Sequence, residues 1–149
     1  MVIGIFGESC TGKSTLAEGL KGMLNAQVYT GKDYLRFAKN ESMAKKLFRK
    51  ELEAAVSGKH IIYVISEPEH LPLLPEGSLR VLVTADLELI KARFASRMKG
   101  NLPAAVASML ERKHGCFDGE ANHIHVVSGE TESDALCHQI VHWEETHGQ

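Results

Sequence analysis

The sequence predicts an α/β fold built on a parallel sheet, and three observations carry that prediction. Short apolar runs alternate with helical patterns along the whole chain. The run Ile61 to Ile65 is apolar throughout, as in a strand buried on both faces. The chain has 149 residues, 44% hydrophobic and 24% charged, and a globular chain of that size buries roughly 70% of its unfolded surface.

The elements follow in order. Val2 to Phe6 reads as a first strand, and Lys13 to about Leu24 as the helix after it. Gln27 to Thr30 is a second short strand. Helical spacing returns in the sets Met43/Leu47 and Phe48/Leu52/Val56, closed by Ser57-Gly58. His60 to Ile65 is a third strand, rich in β-branched and aromatic residues. The segment Leu71 to Gly77, with Pro72 and Pro75, is expected to be a loop. Leu79 to Thr84 is the fourth strand. It leads into a helix with Leu87, Ile90, Phe94 and Met98 on one apolar face, ended by Lys99-Gly100. Pro103 is expected at the first position of the next helix. Ile124 to Val127 makes a fifth strand, and Ser133 to about Glu145 the closing helix. Five parallel strands covered by helices on both faces give one three-layer α/β/α domain over residues 1–149.

Charge and cysteine content narrow the partners. Seventeen Lys plus Arg stand against 19 Asp plus Glu, a net charge of −2, so no large basic field invites nucleic acid or a membrane surface. No apolar run approaches the roughly 20 residues of a membrane span. Cys10, Cys116 and Cys137 are far apart, which fits a reducing compartment and a cytoplasmic location. A cleavable leader is not expected, because it would remove the most informative segment.

That segment is Gly7-Glu8-Ser9-Cys10-Thr11-Gly12-Lys13-Ser14, which fits G-x-x-x-x-G-K-[ST] between a strand and a helix. Gly7 and Gly12 allow backbone angles that turn the N–H groups of Ser9, Cys10, Thr11 and their neighbours around an oxyanion. The helix that follows adds its positive end. Lys13 reaches the β- and γ-phosphates, the Ser14 hydroxyl binds Mg²⁺, and Thr15 is placed at the α-phosphate. The expected ligands are therefore ATP and Mg²⁺. A GTPase is excluded: no Asn precedes a Lys, and no Asp precedes a Gly by three.

A short P-loop chain of this kind resembles the adenylate-kinase-like and cytidylate-kinase-like phosphotransferases. Thr30-Gly31-Lys32-Asp33-Tyr34-Leu35-Arg36 is similar to their T-G-x-x-x-R element, with one extra residue. The resemblance implies that Arg36 holds an acceptor phosphate and that Thr30 and Asp33 wall the acceptor site. Asp33 also falls where shikimate and gluconate kinases carry an acidic residue that engages the acceptor hydroxyl; capping a helix is its other reading. Arg93 and Arg97, four apart on one helix face, resemble the R-x-x-x-R helix that opens the lid, and would clamp the transferring phosphoryl group. The lid is short, about residues 99–118. Arg112 in Glu111-Arg112-Lys113 resembles the returning arginine only loosely.

Two departures bear on the acceptor. The third strand ends Ile65-Ser66-Glu67-Pro68-Glu69, without an Asp at the usual Walker-B place, which leaves Glu67 or Asp33 to support Mg²⁺ through water. Glu69 stands where adenylate kinases carry a phosphate-binding arginine. His138/His142 and His123/His125 lack the further ligands of a closed metal site. Trp143 is expected to pack the last helix against the sheet, and Lys45, Lys46, Arg49 and Lys50 to form a solvated face.

The sequence thus predicts a phosphotransferase that moves the γ-phosphoryl of ATP·Mg²⁺ to a small-molecule acceptor. Lys13, Arg93, Arg97 and Asp33 would do the catalytic work. The leading acceptor is a nucleoside monophosphate or nucleoside. The alternatives are a metabolite kinase of the shikimate or gluconate type, and a nucleotide-binding regulator without turnover. The oligomeric state is not specified, and a monomer suffices.

Overall fold

A computed structural model describes residues 1–128 and 133–147 of the chain. Its elements are β1 (Val2–Phe6), α1 (Lys13–Leu24), β2 (Gln27–Thr30), α2 (Glu41–Ala55), β3 (Ile61–Ile65), β4 (Leu79–Thr84), α3 (Leu87–Arg97), α4 (Ala104–Lys113), β5 (Ile124–Val127) and α5 (Ser133–His147). The five strands are all parallel, in the order β2-β3-β1-β4-β5. The expected fold class and all five strands are present. The spatial order places β1 at the centre, so the loop after it opens at the carboxyl ends of the strands, where such sheets bind ligands.

The period of two along each strand divides the core. Ile3, Ile5, Ile62, Val64, Val81 and Val83 pack toward α1 and α5, where Trp143 also joins the cluster. Val2, Phe6, Ile61, Tyr63 and Ile65 face α2, where Phe48 and Tyr63 meet edge to face at 4.9 Å. A third, smaller cluster joins Cys10 of the loop to Ile90 of α3 and Leu110 of α4. α3 and α4 are therefore packed onto the loop between β1 and α1.

Four local details differ from the sequence reading. Gly31–Phe37 forms a short 3₁₀ segment, started by the Thr30 N–H donating to Asp33 Oδ2 at 2.8 Å. Pro68–Leu73 is another 3₁₀ segment, and its end overlaps the start of the Leu71 to Gly77 stretch expected as loop. Pro68 pre-sets the first turn, and i→i+3 bonds such as His70 N–H to Glu67 O, 3.1 Å, run past it. Pro103 caps α4 rather than opening it; its carbonyl accepts from Ala107 N–H at 3.0 Å. Met98 is 38% exposed, because α3 ends at Arg97 before that position turns inward.

Among the described residues, no helix is long and apolar enough to cross a membrane. Two of the histidines are engaged locally. His123 Nδ1 accepts from Arg80 N–H at 2.9 Å, and His125 Nε2 lies 2.8 Å from Thr84 Oγ1. The basic residues of α2 are solvated or locally bonded. Lys45 pairs with Glu41 at 3.7 Å, and Arg49 donates to Pro72 O.

Candidate active site

The loop from Gly7 to Gly12 leaves β1 under tight steric control. Gly7 N–H donates to Ile65 O at 3.1 Å, which ties the loop to the end of β3. A Cβ at Gly7 would lie 2.1 Å from the Val83 carbonyl oxygen of β4, so only glycine fits there. Cys10 and Gly12 adopt positive φ, 64° and 100°, and a left-handed residue of this kind lets successive N–H groups converge on an anion. Thr11 Oγ1 donates to Glu8 O at 2.8 Å and braces the curve. The carbonyl of Gly12 then accepts from Leu16 N–H at 3.2 Å, and α1 begins with its positive end at the loop.

Two cations rest on loop carbonyls. Lys13 Nζ donates to Glu8 O, and Arg93 Nη1 donates to Cys10 O at 3.0 Å. Lys13 is 5% exposed, and burial lowers its pKa from 10.5 to about 8; Cys10 and Glu8 pull it back up, and Arg97 adds to the depression. A buried ammonium held only by a neutral carbonyl is electrostatically unsatisfied. Anionic phosphates would relieve that, so we expect nucleotide binding to raise the Lys13 pKa. Titration calorimetry in buffers of different ionisation enthalpy should show about one proton taken up per nucleotide near pH 9 and none at pH 6.5. No difference between the two pH values would mean that the phosphates do not reach Lys13.

A cleft of about 560 Å³ opens beside the cradle, lined by Cys10, Gly12, Thr15, Arg93, Arg97 and Ser128 among others. The structure therefore brings Arg93 and Arg97 of α3 to the phosphate loop. Ser9, Ser14 and Thr15 are exposed at the loop and the first turn of α1. Thr30, Asp33 and Arg36 lie elsewhere, at the end of β2. Asp33 and Arg36 pair with each other at 3.5 Å, and Arg36 is 69% exposed over a shallow groove with Gln27, Tyr29 and Phe37. The turn that carries them is fixed by Tyr63 Oη donating to Gly31 O at 2.6 Å.

Sequence reasoning missed a polar cluster on the other side of the loop. Glu8 is buried, and its carboxylate meets His114 Nδ1 and the Gly115 N–H, each at 3.0 Å. Glu67 pairs with Lys113 at 2.8 Å, and Lys91 of α3 with Glu111 of α4 at 2.7 Å. Burial first, then the Glu8 and Glu67 carboxylates, push the Cys116 thiol pKa up, so these groups share one field. The missed signal was Glu8 itself, an acidic residue inside a loop shaped to bind anions. Arg112 is exposed and its Nε donates to Ser108 O at 3.4 Å, outside this cluster.

No protein family's sequence profile matches the chain. A shikimate kinase of Pelotomaculum thermopropionicum is 27% identical over 137 residues, spanning 87% of this chain and 77% of the relative. Among solved structures, a shikimate kinase from Acinetobacter baumannii in complex with shikimate aligns with TM-score 0.65 and 16% identity, over 97% of this chain and 93% of that one. A putative kinase from Chloroflexus aurantiacus gives 0.65 and 13% identity over 99% and 98% of the two chains. A gluconokinase from Sinorhizobium meliloti gives 0.61 and 13% identity over 99% and 97%. The chain is thus similar in sequence to a shikimate kinase and shares the fold of these kinase structures.

Proposed function

We propose that this protein is an ATP-dependent kinase of the shikimate or gluconate type, acting on a hydroxyl group of a small polar metabolite. The observation that carries the reading is the pair of cations, Lys13 and Arg93, resting on carbonyls of one phosphate loop beside a cleft. A bound triphosphate would take over both cations. The acceptor hydroxyl oxygen would attack the γ-phosphorus in line, the bond from the γ-phosphorus to the β,γ-bridging oxygen would break, and ADP would leave with the electron pair. Lys13, Arg93 and Arg97 would offset charge on the transferring group, so catalysis is mostly positioning and electrostatics.

Mg²⁺ takes hard oxygen donors and keeps several waters. The Ser14 hydroxyl, exposed at the start of α1, fits that donor set together with the nucleotide's own phosphates. The Glu67 and Asp33 carboxylates are already partnered, by Lys113 and by Thr30 N–H with Arg36. The ion would neutralise charge on the phosphates it bridges.

A hydroxylated metabolite takes precedence over a nucleoside monophosphate as acceptor. Arg36, the cation a monophosphate would need, is exposed and paired with Asp33. Both contacts of the Asp33 carboxylate use Oδ2, which leaves Oδ1 for an acceptor hydroxyl, with Thr30 beside it. The kinships to a shikimate kinase and a gluconokinase fold support the same choice.

Incubation with Mg²⁺ and γ-labelled ATP against a pool of hydroxy acids, polyols, nucleosides and nucleoside monophosphates tests this. Label should appear on a metabolite hydroxyl, vanish with Lys13→Ala, and fall by about 10²-fold with Arg93→Met. Label on a monophosphate would reverse the acceptor assignment. ATP bound with nothing labelled would overturn the kinase reading.

A further inference from the structure

A carboxylate in a triphosphate-binding loop opposes the loop's purpose unless it is turned away and hydrogen-bonded. Glu8 meets both conditions. Its side chain is 9% exposed, and neither oxygen is wasted: Oε1 meets His114 Nδ1 and Oε2 accepts the Gly115 N–H, each at 3.0 Å. Those partners are 106 and 107 residues away in sequence, just past the end of α4. Gly115 has φ of 82°, and a Cβ there would meet Asp118 Oδ2 at 3.0 Å, so the turn that offers this N–H depends on glycine. The backbone carbonyl of the same Glu8 accepts from Lys13 Nζ. One residue thus touches the cradle lysine with its main chain and the lid return with its side chain.

The segment it grips is the one that faces the end of β3. Lys113 pairs there with Glu67 at 2.8 Å, and Phe117, 1% exposed, meets Phe6 of β1 as a tilted ring pair at 5.7 Å. Phe117 anchors the segment from behind, and Glu8 fixes its front against the loop.

We infer that Glu8 is a positioning residue whose carboxylate clamps segment 113–117 to the phosphate loop, so that the cradle and the lid return form one unit. It does not bind nucleotide; it sets where Lys113 and its neighbours stand when phosphoryl transfer occurs. The inference rests on the kinase reading for its catalytic consequence, but the clamp itself does not.

Hydrogen exchange with mass spectrometry on the full chain, free and with Mg·ADP, tests the clamp without any transfer. In Glu8→Ala, exchange over residues 113–118 should rise at least tenfold while peptides of β1 and β3 keep their protection. Glu8→Gln, which retains one acceptor oxygen, should fall between, and His114→Phe should loosen the same segment from the other side. Mg·ADP affinity should stay equal to wild type or tighten, since an anion has left the loop. In the labelled-ATP assay, turnover by Glu8→Ala should drop about tenfold or more while the KM for ATP moves less than threefold. Unchanged exchange at 113–118 would mean that Phe117 alone holds the segment and would overturn the inference. Loss of protection across all strands in every variant, or Mg·ADP affinity lost as in Lys13→Ala, would overturn it too. Absence of label transfer in the wild type would sink the kinase reading and leave the exchange result standing.

Discussion

Replacing Lys13 by methionine should cut phosphoryl transfer by about 10²–10³-fold or more and yet make the fold more stable. On the proposed kinase reading, the loss of activity follows from removing a charge that would face the transferring group. The gain in stability follows from burial. Lys13 has a pKa of about 8 in the folded chain against 10.5 ordinarily, with desolvation as the first cause. The folded state therefore disfavours the ammonium, and the penalty at neutral pH is on the order of 3 kcal/mol. It is fully present below pH 8, shrinks as pH rises from 8 toward 10.5 because only the unfolded chain still holds the proton, and is gone above. Urea unfolding of wild type and Lys13→Met at pH 7 and at pH 10.5 checks both parts. The variant should be the more stable at pH 7, with the difference narrowing at the higher pH. A variant less stable at pH 7 would mean that the bond to Glu8 O outweighs desolvation.

Gly7→Ala should have the largest structural effect of any single methyl group added to the chain. The new Cβ would stand 2.1 Å from the backbone oxygen of Val83 and 3.3 Å from Thr11 Oγ1. Backbone cannot rotate away as a side chain can, so β1 and β4 must part or the loop must leave its path. Overpacking of this kind costs about 3 kcal/mol or more. Nucleotide binding should be lost with it, because the same loop carries the N–H groups of the cradle. Gly22→Ala is the matched control. Gly22 lies inside α1 with nothing within 4 Å of its would-be Cβ, and alanine there should stabilise by about 0.5–1 kcal/mol. Denaturant midpoints of the two variants should move in opposite directions; movement in the same direction would refute the steric argument.

Much of this protein can be read from its sequence because the relevant physics is local. Strand and helix periods, the glycines of the loop and the helix after it act over a few residues, and they determined the α/β class, the five strands and the phosphate cradle. The four-residue spacing of Arg93 and Arg97 likewise placed them on one helix face, and the structure brings that face to the loop. Proline positions read less well: Pro72, expected in a loop, lies inside a 3₁₀ segment, and Pro103 caps α4 instead of opening it.

Tertiary structure decided what depends on distance along the chain. The strand order β2-β3-β1-β4-β5 comes from how the crossovers pack, which no local pattern encodes. Asp33 and Arg36 are near neighbours in sequence and satisfy each other at the edge of β2, whereas Glu8 waits more than a hundred residues for His114 and Gly115. A buried carboxylate must find donors wherever the fold supplies them. The sequence alone determined that this chain has a loop for phosphate; only the packing of α3, α4 and the turn after them decided which charges stand around it.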